Sequence, residues 1–309
     1  MKAAVIDLGT NTFHLIIAEI TPGGVEVIYK TNLPVQLGQG RINENMIIPE
    51  AFERGIQALK DFKTTIDSYQ AEVVSAIATS AIRSASNGAD FVTAAASRAG
   101  IQINVVTGEQ EAAYIFKGVK ATGVITERSL IMDIGGGSTE FIICDPTGYL
   151  WKKSYNIGAA RLLQAYFHSD PISKEDQSAI TSHLDAELSA LKEACAVHQP
   201  KVLVGSAGAF ETFAAMLLKD TAIKTIRSAT FNLDDYLELS AKLITSTHEQ
   251  RVNMPNLIPL RVDMIVIASM LTNYILEALQ LKAISLSTYD LKMGVLYSIL
   301  EDQKFDSAE

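Results

Sequence analysis

Two short stretches of this sequence carry residue types that can hold an anion. Asp7-Leu8-Gly9-Thr10-Asn11-Thr12 and Asp133-Ile134-Gly135-Gly136-Gly137-Ser138 each follow an apolar run with a carboxylate, then a small-residue turn. Such a turn can aim successive backbone N–H groups at one point and cradle an oxyanion. Glycine serves where a side chain would block close approach or where φ must be positive. Asn11 lies within the first turn, and the hydroxyls of Thr10, Thr12, Ser138 and Thr139 add donors suited to phosphate oxygens. Asp7 and Asp133 would repel phosphate unless a cation lay between. A bound Mg²⁺ or Mn²⁺, held partly through water, is the natural inference. Glu140, just beyond the second turn, could reach that metal or its water, or could equally be a solvated strand residue. Taken singly, each stretch also fits an ordinary hairpin.

The pairing of the two stretches argues for more. Asp7 overlays Asp133, Gly9 overlays Gly135, Thr12 overlays Ser138, and the apolar residues that follow coincide without a gap. Two copies of one supersecondary unit imply two similar domains that face each other across a cleft.

The elements around these turns alternate. Ala3 to Ile20 reads as strand, turn and strand, and Val25–Tyr29 as a further strand after Gly23-Gly24. From Pro49, Phe52, Ile56, Leu59, Phe62, Ile66 and Tyr69 recur at helical spacing. Strands are expected at 73–79, 103–106, 130–133, 141–144 and 202–204, and a helix at 90–99. One helix is expected to carry Ile180, Leu184, Leu188, Leu191 and Cys195, and another to open after Gly205-Ser206-Ala207-Gly208. Alternating strands and helices define an α/β fold. At 309 residues the chain suits two domains of about 150 residues each. The expected division is 1–121 and 122–309, with a C-terminal helix at 291–304 able to pack back on the first domain.

Composition narrows the classes. Hydrophobic residues are 48% and charged residues 20%, enough apolar material for a packed interior. Mean hydropathy is +0.17, yet the most apolar run, Met264 to Leu276, is bounded by Asp263 and Glu277 and is shorter than the ~20 residues a span needs. Neither a membrane partner nor a secretory signal is expected, and a cytoplasmic location follows. Cys144 and Cys195 lack metal-type spacing and read as reduced thiols. The net charge of −9 and the absence of a Lys/Arg cluster argue against nucleic acid as partner. An anionic substrate must therefore be held by local devices. The five histidines are scattered, and none is assigned to a metal.

Several further residues have both a structural and a functional reading. Thr107-Gly108-Glu109-Gln110 looks like a capping box, in which Glu109 and Glu111 complement the helix dipole. Arg83 could be a surface cation or a phosphate contact. Ser206 and Gly208 fit an anion contact at a helix start, or plain α/β turn chemistry.

The motif set resembles the exopolyphosphatase/guanosine pentaphosphate phosphatase family. The two Asp-Gly turns are similar to its phosphate motifs. Ala78-Thr79-Ser80-Ala81-Ile82-Arg83 with Asn87, Gly108-Glu109-Gln110-Glu111-Ala112-Ala113-Tyr114, Asn156-Ile157-Gly158-Ala159-Ala160-Arg161-Leu162, Val204-Gly205-Ser206-Ala207-Gly208 and Arg261-Val262-Asp263-Met264 fall in the family's order. The resemblance runs from Lys2 to about Leu300. It implies the actin-like, ribonuclease H-like fold in two copies. It also implies a metal-dependent phosphohydrolase that releases terminal phosphate from polyphosphate or guanosine pentaphosphate. In that reading Glu111, the last glutamate before the alanine, is the general base, with Glu109 in reserve. Arg83 joins the phosphate-binding turns, and closure of the domains excludes bulk water. A homodimer is compatible with the resemblance and with the apolar C-terminal half.

The chain departs from the family pattern in two places. Ala113 stands where the Glu-Glu-Ala-Arg segment has its arginine, and Leu291-Lys292-Met293-Gly294 stands where Leu-Arg-Glu-Gly is usual. Lysine keeps the charge and loses the bidentate fork. Longer members carry additional C-terminal helical domains. Two rivals remain: a kinase of the same fold, and a catalytically weak alarmone or polyphosphate sensor.

Overall fold

A computed structural model describes residues 1–219 and 221–306; the expected domain limit at 309 lies outside them. The strands are β1 (Lys2–Leu8), β2 (Phe13–Thr21), β3 (Gly24–Leu33), β4 (Val73–Ala78), β5 (Ile103–Val105), β6 (Ser129–Ile134), β7 (Thr139–Cys144), β8 (Tyr149–Tyr155), β9 (Val202–Ser206), β10 (Ser228–Phe231) and β11 (Ala283–Ser287). The helices are α1 (Pro49–Tyr69), α2 (Ser80–Ser84), α3 (Gly88–Ala94), α4 (Gly108–Ala121), α5 (Ala159–Tyr166), α6 (Lys174–Glu187), α7 (Ser189–His198), α8 (Ala207–Leu217), α9 (Leu233–Thr245), α10 (His248–Val252), α11 (Met264–Ala278) and α12 (Leu291–Asp306).

The strands form two sheets, ordered β3-β2-β1-β4-β5 and β10-β11-β9-β6-β7-β8. Each begins with an antiparallel meander, β1-β2-β3 or β6-β7-β8. Each continues through parallel neighbours, β1-β4-β5 or β6-β9-β11. The second sheet adds β10 at its edge, antiparallel to β11. The same order of connections occurs twice, which is the fold-level counterpart of the repeated turn. Contacts divide the chain into two compact units, residues 1–118 with the C-terminal segment from Leu291, and Val119–Asp290.

Sequence pattern explains most elements. In β1, Ala3 to Ile6 are wholly buried, as a continuous apolar run in a covered sheet must be. Pro49 stands at the first position of α1, where its missing N–H costs nothing. Ile56, Leu59, Phe62 and Ile66 form the buried stripe of α1, and Gln70 closes the helix in the left-handed region at φ 55°. The α11 helix is buried along most of its length. No helix among the described residues is long and apolar enough to cross a membrane. Cys144 and Cys195 are free and buried, and burial pushes each thiol up to about 12.

One expectation is corrected. The apolar stripe from Ile180 to Cys195 is not one helix: α6 ends at Glu187 and α7 begins at Ser189. Leu188 between them has φ −96° and ψ 18° and is wholly buried. The five stripe residues are all buried. Periodicity reports which side chains face the core, and a single residue outside helical geometry can interrupt the backbone without disturbing it.

The second unit contains a charged residue with no access to solvent. Arg251 is 0% exposed; its Nε donates to the Val262 carbonyl at 2.7 Å and its Nη1 to that of Ser246. Its Nη2 lies 2.9 Å from Asp170 and 3.3 Å from Asp263. Removing the guanidinium leaves the buried Ser246 and Val262 carbonyls without this donor, whereas Asp170 and Asp263 keep solvent contact and His248 as a partner. Arg251→Ala is expected to lower unfolding stability by about 3 kcal/mol, read by urea denaturation; a large buried cavity with two buried carbonyls left without their donor has this order of cost. A loss below about 1 kcal/mol would mean that water replaces the guanidinium.

Candidate active site

In both units the candidate residues follow the C-terminal ends of parallel strands, where open α/β sheets take their ligands. In the first unit, Asp7 lies near the end of β1, Arg83 follows β4, and Glu111 follows β5. In the second, Asp133 lies near the end of β6, and Ser206 and Gly208 stand where β9 passes into α8.

The triple-glycine turn is oriented by the helix that follows it. Ala159 N–H donates to the Gly135 carbonyl at 2.8 Å; Ala160 and Arg161 N–H donate to that of Gly136 at 2.9 and 3.2 Å. The buried Arg161 donates through Nε to the Gly137 carbonyl at 2.9 Å. A trans peptide points its N–H opposite to its C=O. With the carbonyls of 135, 136 and 137 turned onto the start of α5, the N–H groups of Gly136, Gly137 and Ser138 must point away from it together. N–H groups that share a direction in this way are what an anion nest requires. Gly158 makes it possible, because a Cβ there would overlap the backbone of Gly136 and Gly137.

The first unit solves the same problem with a loop. Gln36 N–H donates to the Asn11 carbonyl at 2.7 Å and Gly38 N–H to that of Thr10 at 3.0 Å. The N–H groups of Asn11 and Thr12 are thereby turned the other way. Gln36 holds φ at 50°, and a Cβ on Gly38 would stand 2.5 Å from the Thr10 methyl. A Cβ on Gly9 would meet the Thr12 carbonyl at 2.9 Å, and one on Gly135 would meet that of Ser138 at the same distance. The two turns share their geometry as well as their sequence.

The side chains around the turns divide by unit. Asp7, 17% exposed, has Lys292 Nζ 3.7 Å from its Oδ2. Arg83 Nη1 donates to Glu111 Oε2 at 2.8 Å and to the Val106 carbonyl at 3.0 Å. Glu111 is buried, whereas Glu109 on the same turn of α4 is exposed. The capping box is present: Gln110 N–H reaches Thr107 Oγ1 at 3.2 Å, and Thr107 N–H reaches Gln110 Oε1 at 2.9 Å. In the second unit, Asp133 Oδ2 accepts from the Ser206 hydroxyl at 3.0 Å, and Glu140 accepts from the Ser154 hydroxyl at 2.6 Å. Asp133 and Glu140 are direct cross-strand partners, so both carboxylates leave the same face of the sheet. Thr139, wholly buried, donates its hydroxyl to the Ile157 carbonyl at 3.1 Å. Ser206 thus holds a carboxylate, and Thr139 ties down the segment before α5.

Three contributions were not singled out from the sequence. Gly158 and Arg161 brace the glycine turn, although their segment carried part of the resemblance. The Arg261 guanidinium packs directly on Gly208, in the space a Cβ would need. Desolvation lowers the pKa of Arg261 from its ordinary value, opposed by the charges of Glu211 and Asp133; an arginine nonetheless stays cationic. Only the fold could bring it to that turn.

Among the described residues, no group of three or more His, Cys, Asp or Glu is arranged to hold a metal. In the second unit Asp133 and Glu140 stand opposite each other on neighbouring strands, and two carboxylates suit a hydrated Mg²⁺, which completes its shell with water and phosphate oxygens.

A sheet order repeated in two units, each with a small-residue turn after its first strand, defines the duplicated actin-like α/β class. The profile of the Ppx/GppA phosphatase family matches residues 16–303, and the chain belongs to that family. A Pseudoalteromonas translucida protein named guanosine-5'-triphosphate,3'-diphosphate pyrophosphatase is 32% identical over 97% of this chain. The chain spans 59% of that relative's length. The crystal structure of an exopolyphosphatase from Cytophaga hutchinsonii superposes with TM-score 0.94 at 36% identity, covering 98% of both chains. An Aquifex aeolicus Ppx/GppA family member superposes with TM-score 0.82 at 26% identity, again over 98% of both.

Proposed function

We propose that this chain is a metal-dependent phosphohydrolase that releases the terminal phosphate of polyphosphate or guanosine pentaphosphate by attack of water. The observation that carries this reading is the orientation of the Gly136–Ser138 N–H groups, fixed by the contacts of α5 with the three preceding carbonyls. Phosphoryl transfer spreads negative charge over the equatorial oxygens, so converging N–H donors stabilise it without covalent chemistry. The nest at Asn11 and Thr12 offers the same service in the first unit. Arg83 and Arg261 add fixed positive charge, the first beside Glu111 and the second on Gly208. Glu111 accepts the proton of the attacking water through a carboxylate oxygen. Asp133 and Glu140, cross-strand neighbours in the second unit, are the residues that would hold Mg²⁺, which would supply charge neutralisation of the phosphate oxygens.

The names of relatives support both substrates, since one is called a guanosine pentaphosphate pyrophosphatase and another an exopolyphosphatase. Each substrate ends in a phosphoanhydride. Free, buried thiols suit a reducing, cytoplasmic setting.

Phosphate release tests the reading, with Mg²⁺ present and short polyphosphate, long polyphosphate, guanosine pentaphosphate and ATP compared. Turnover of at least one of the first three, abolished by EDTA and absent with ATP, is expected. Silence on all four, alongside measurable ligand binding, would replace the hydrolase with the sensor.

A further inference from the structure

Lys292 sits where a lysine is costly. It lies in the first turn of α12, where the helix dipole disfavours a cation, and its side chain is only 14% exposed. Its neighbours Leu291 and Met293 are buried apolar residues, so the position asks for no charge on packing grounds. Asp7, whose Oδ2 lies 3.7 Å from the ammonium, offsets part of the cost. That separation exceeds a direct hydrogen bond, so the two groups interact as charges without being locked together.

The seat of Lys292 is rigid. Two residues on, Gly294 lets α12 approach the Tyr114 carbonyl of α4 so closely that no Cβ would fit. Further along, Lys117 Nζ on α4 pairs with Glu301 Oε2 on α12 at 2.7 Å. The helix that carries Glu111 therefore also fixes the start of α12. Asp7 in turn stands just before the turn whose Asn11 and Thr12 N–H groups face away from the 36–38 loop.

We infer that Lys292 is the resident cation of the Asp7 turn. Its ammonium offsets the Asp7 carboxylate and attracts the phosphoryl anion offered to that turn, so the first unit binds a phosphoanhydride without a divalent ion at Asp7. This rests on the phosphohydrolase reading for the kind of anion bound, and it leaves Asp133 and Glu140 as the carboxylates available to a metal. Lysine suits the task as a compact point charge with three donors, whereas arginine would favour a bidentate clamp on the carboxylate itself.

The experiment is titration calorimetry of tripolyphosphate into the full chain in EDTA, comparing wild type, Lys292→Gln, Lys292→Arg and Asp7→Asn. Wild type is expected to bind. Lys292→Gln should bind at least about tenfold more weakly, the scale of one charge-assisted contact, with only part of the loss restored in Lys292→Arg, whose guanidinium keeps the charge but engages Asp7. Asp7→Asn should bind more tightly, because the Asp7 carboxylate then no longer repels the anion or offsets the ammonium. A stabilising or packing role for Lys292 would not produce opposite signs in the two partners. Equal affinity of wild type and Lys292→Gln, or weaker binding by Asp7→Asn, would overturn the inference. So would wild-type binding that needs Mg²⁺. Should Lys292→Gln not fold, Asp7→Asn decides alone. The hydrolase reading fails separately, by absence of phosphate release with Mg²⁺, whatever the calorimetry in EDTA shows.

Discussion

Glu111→Gln is expected to lower kcat for phosphate release by about 10²–10⁴-fold, the range a positioned general base supplies. The substitution is nearly isosteric, and the amide oxygen can still accept from Arg83 Nη1, which lies 2.8 Å from Glu111 Oε2. The change removes the proton acceptor and the negative charge without opening a cavity. Arg83 would then lack its counter-charge, so an anionic ligand should bind at least as well as to wild type. The informative result is therefore a split: lost turnover with tripolyphosphate affinity unchanged or improved. Glu109→Gln is the comparison. Its exposed side chain on the same turn of α4 should make that variant nearly silent. Unchanged turnover in Glu111→Gln would remove it from the mechanism.

A second large effect is expected from a single methyl group. Gly158 has φ −67° and ψ 157°, an extended conformation open to any residue, so glycine is not needed there for its backbone freedom. It is needed for space, since the Cβ of an alanine would overlap the Gly136 and Gly137 backbone. Gly158→Ala must push the glycine turn away from α5, loosening the carbonyl contacts that aim its N–H groups. Overpacking of this kind costs about 1–3 kcal/mol of stability. The functional loss should be larger, because a displacement of about 1 Å in a positioning element can cost on the order of 10²-fold in rate. Gly148→Ala is the control: nothing lies within 4 Å of a Cβ there, and its activity and unfolding midpoint should match wild type. Equal behaviour of the two variants would show that the turn tolerates rearrangement and that its orientation is not what catalysis uses.

The sequence alone carried whatever depends on neighbours along the chain. The repeated Asp-Gly turn marks a duplicated unit because each copy is a local hairpin, Asp7 to His14 and Asp133 to Glu140 in matching register. The stripe of α1 was legible because burial on one helix face imposes a spacing, and the Thr107–Gln110 capping box because both partners lie within one turn. Tertiary structure decided what depends on residues distant in the chain. It placed the N–H donors of Ala159 and Ala160 against the carbonyls of Gly135 and Gly136, Arg83 against Glu111, Arg261 on Gly208, and Lys292 beside Asp7. It also ended α6 at Glu187 although the apolar stripe continued. Local spacing reflects the average demand for burial along an element. The direction of a particular N–H group or ammonium is set by backbone from elsewhere in the chain, and that appears only when the sheets and helices are packed.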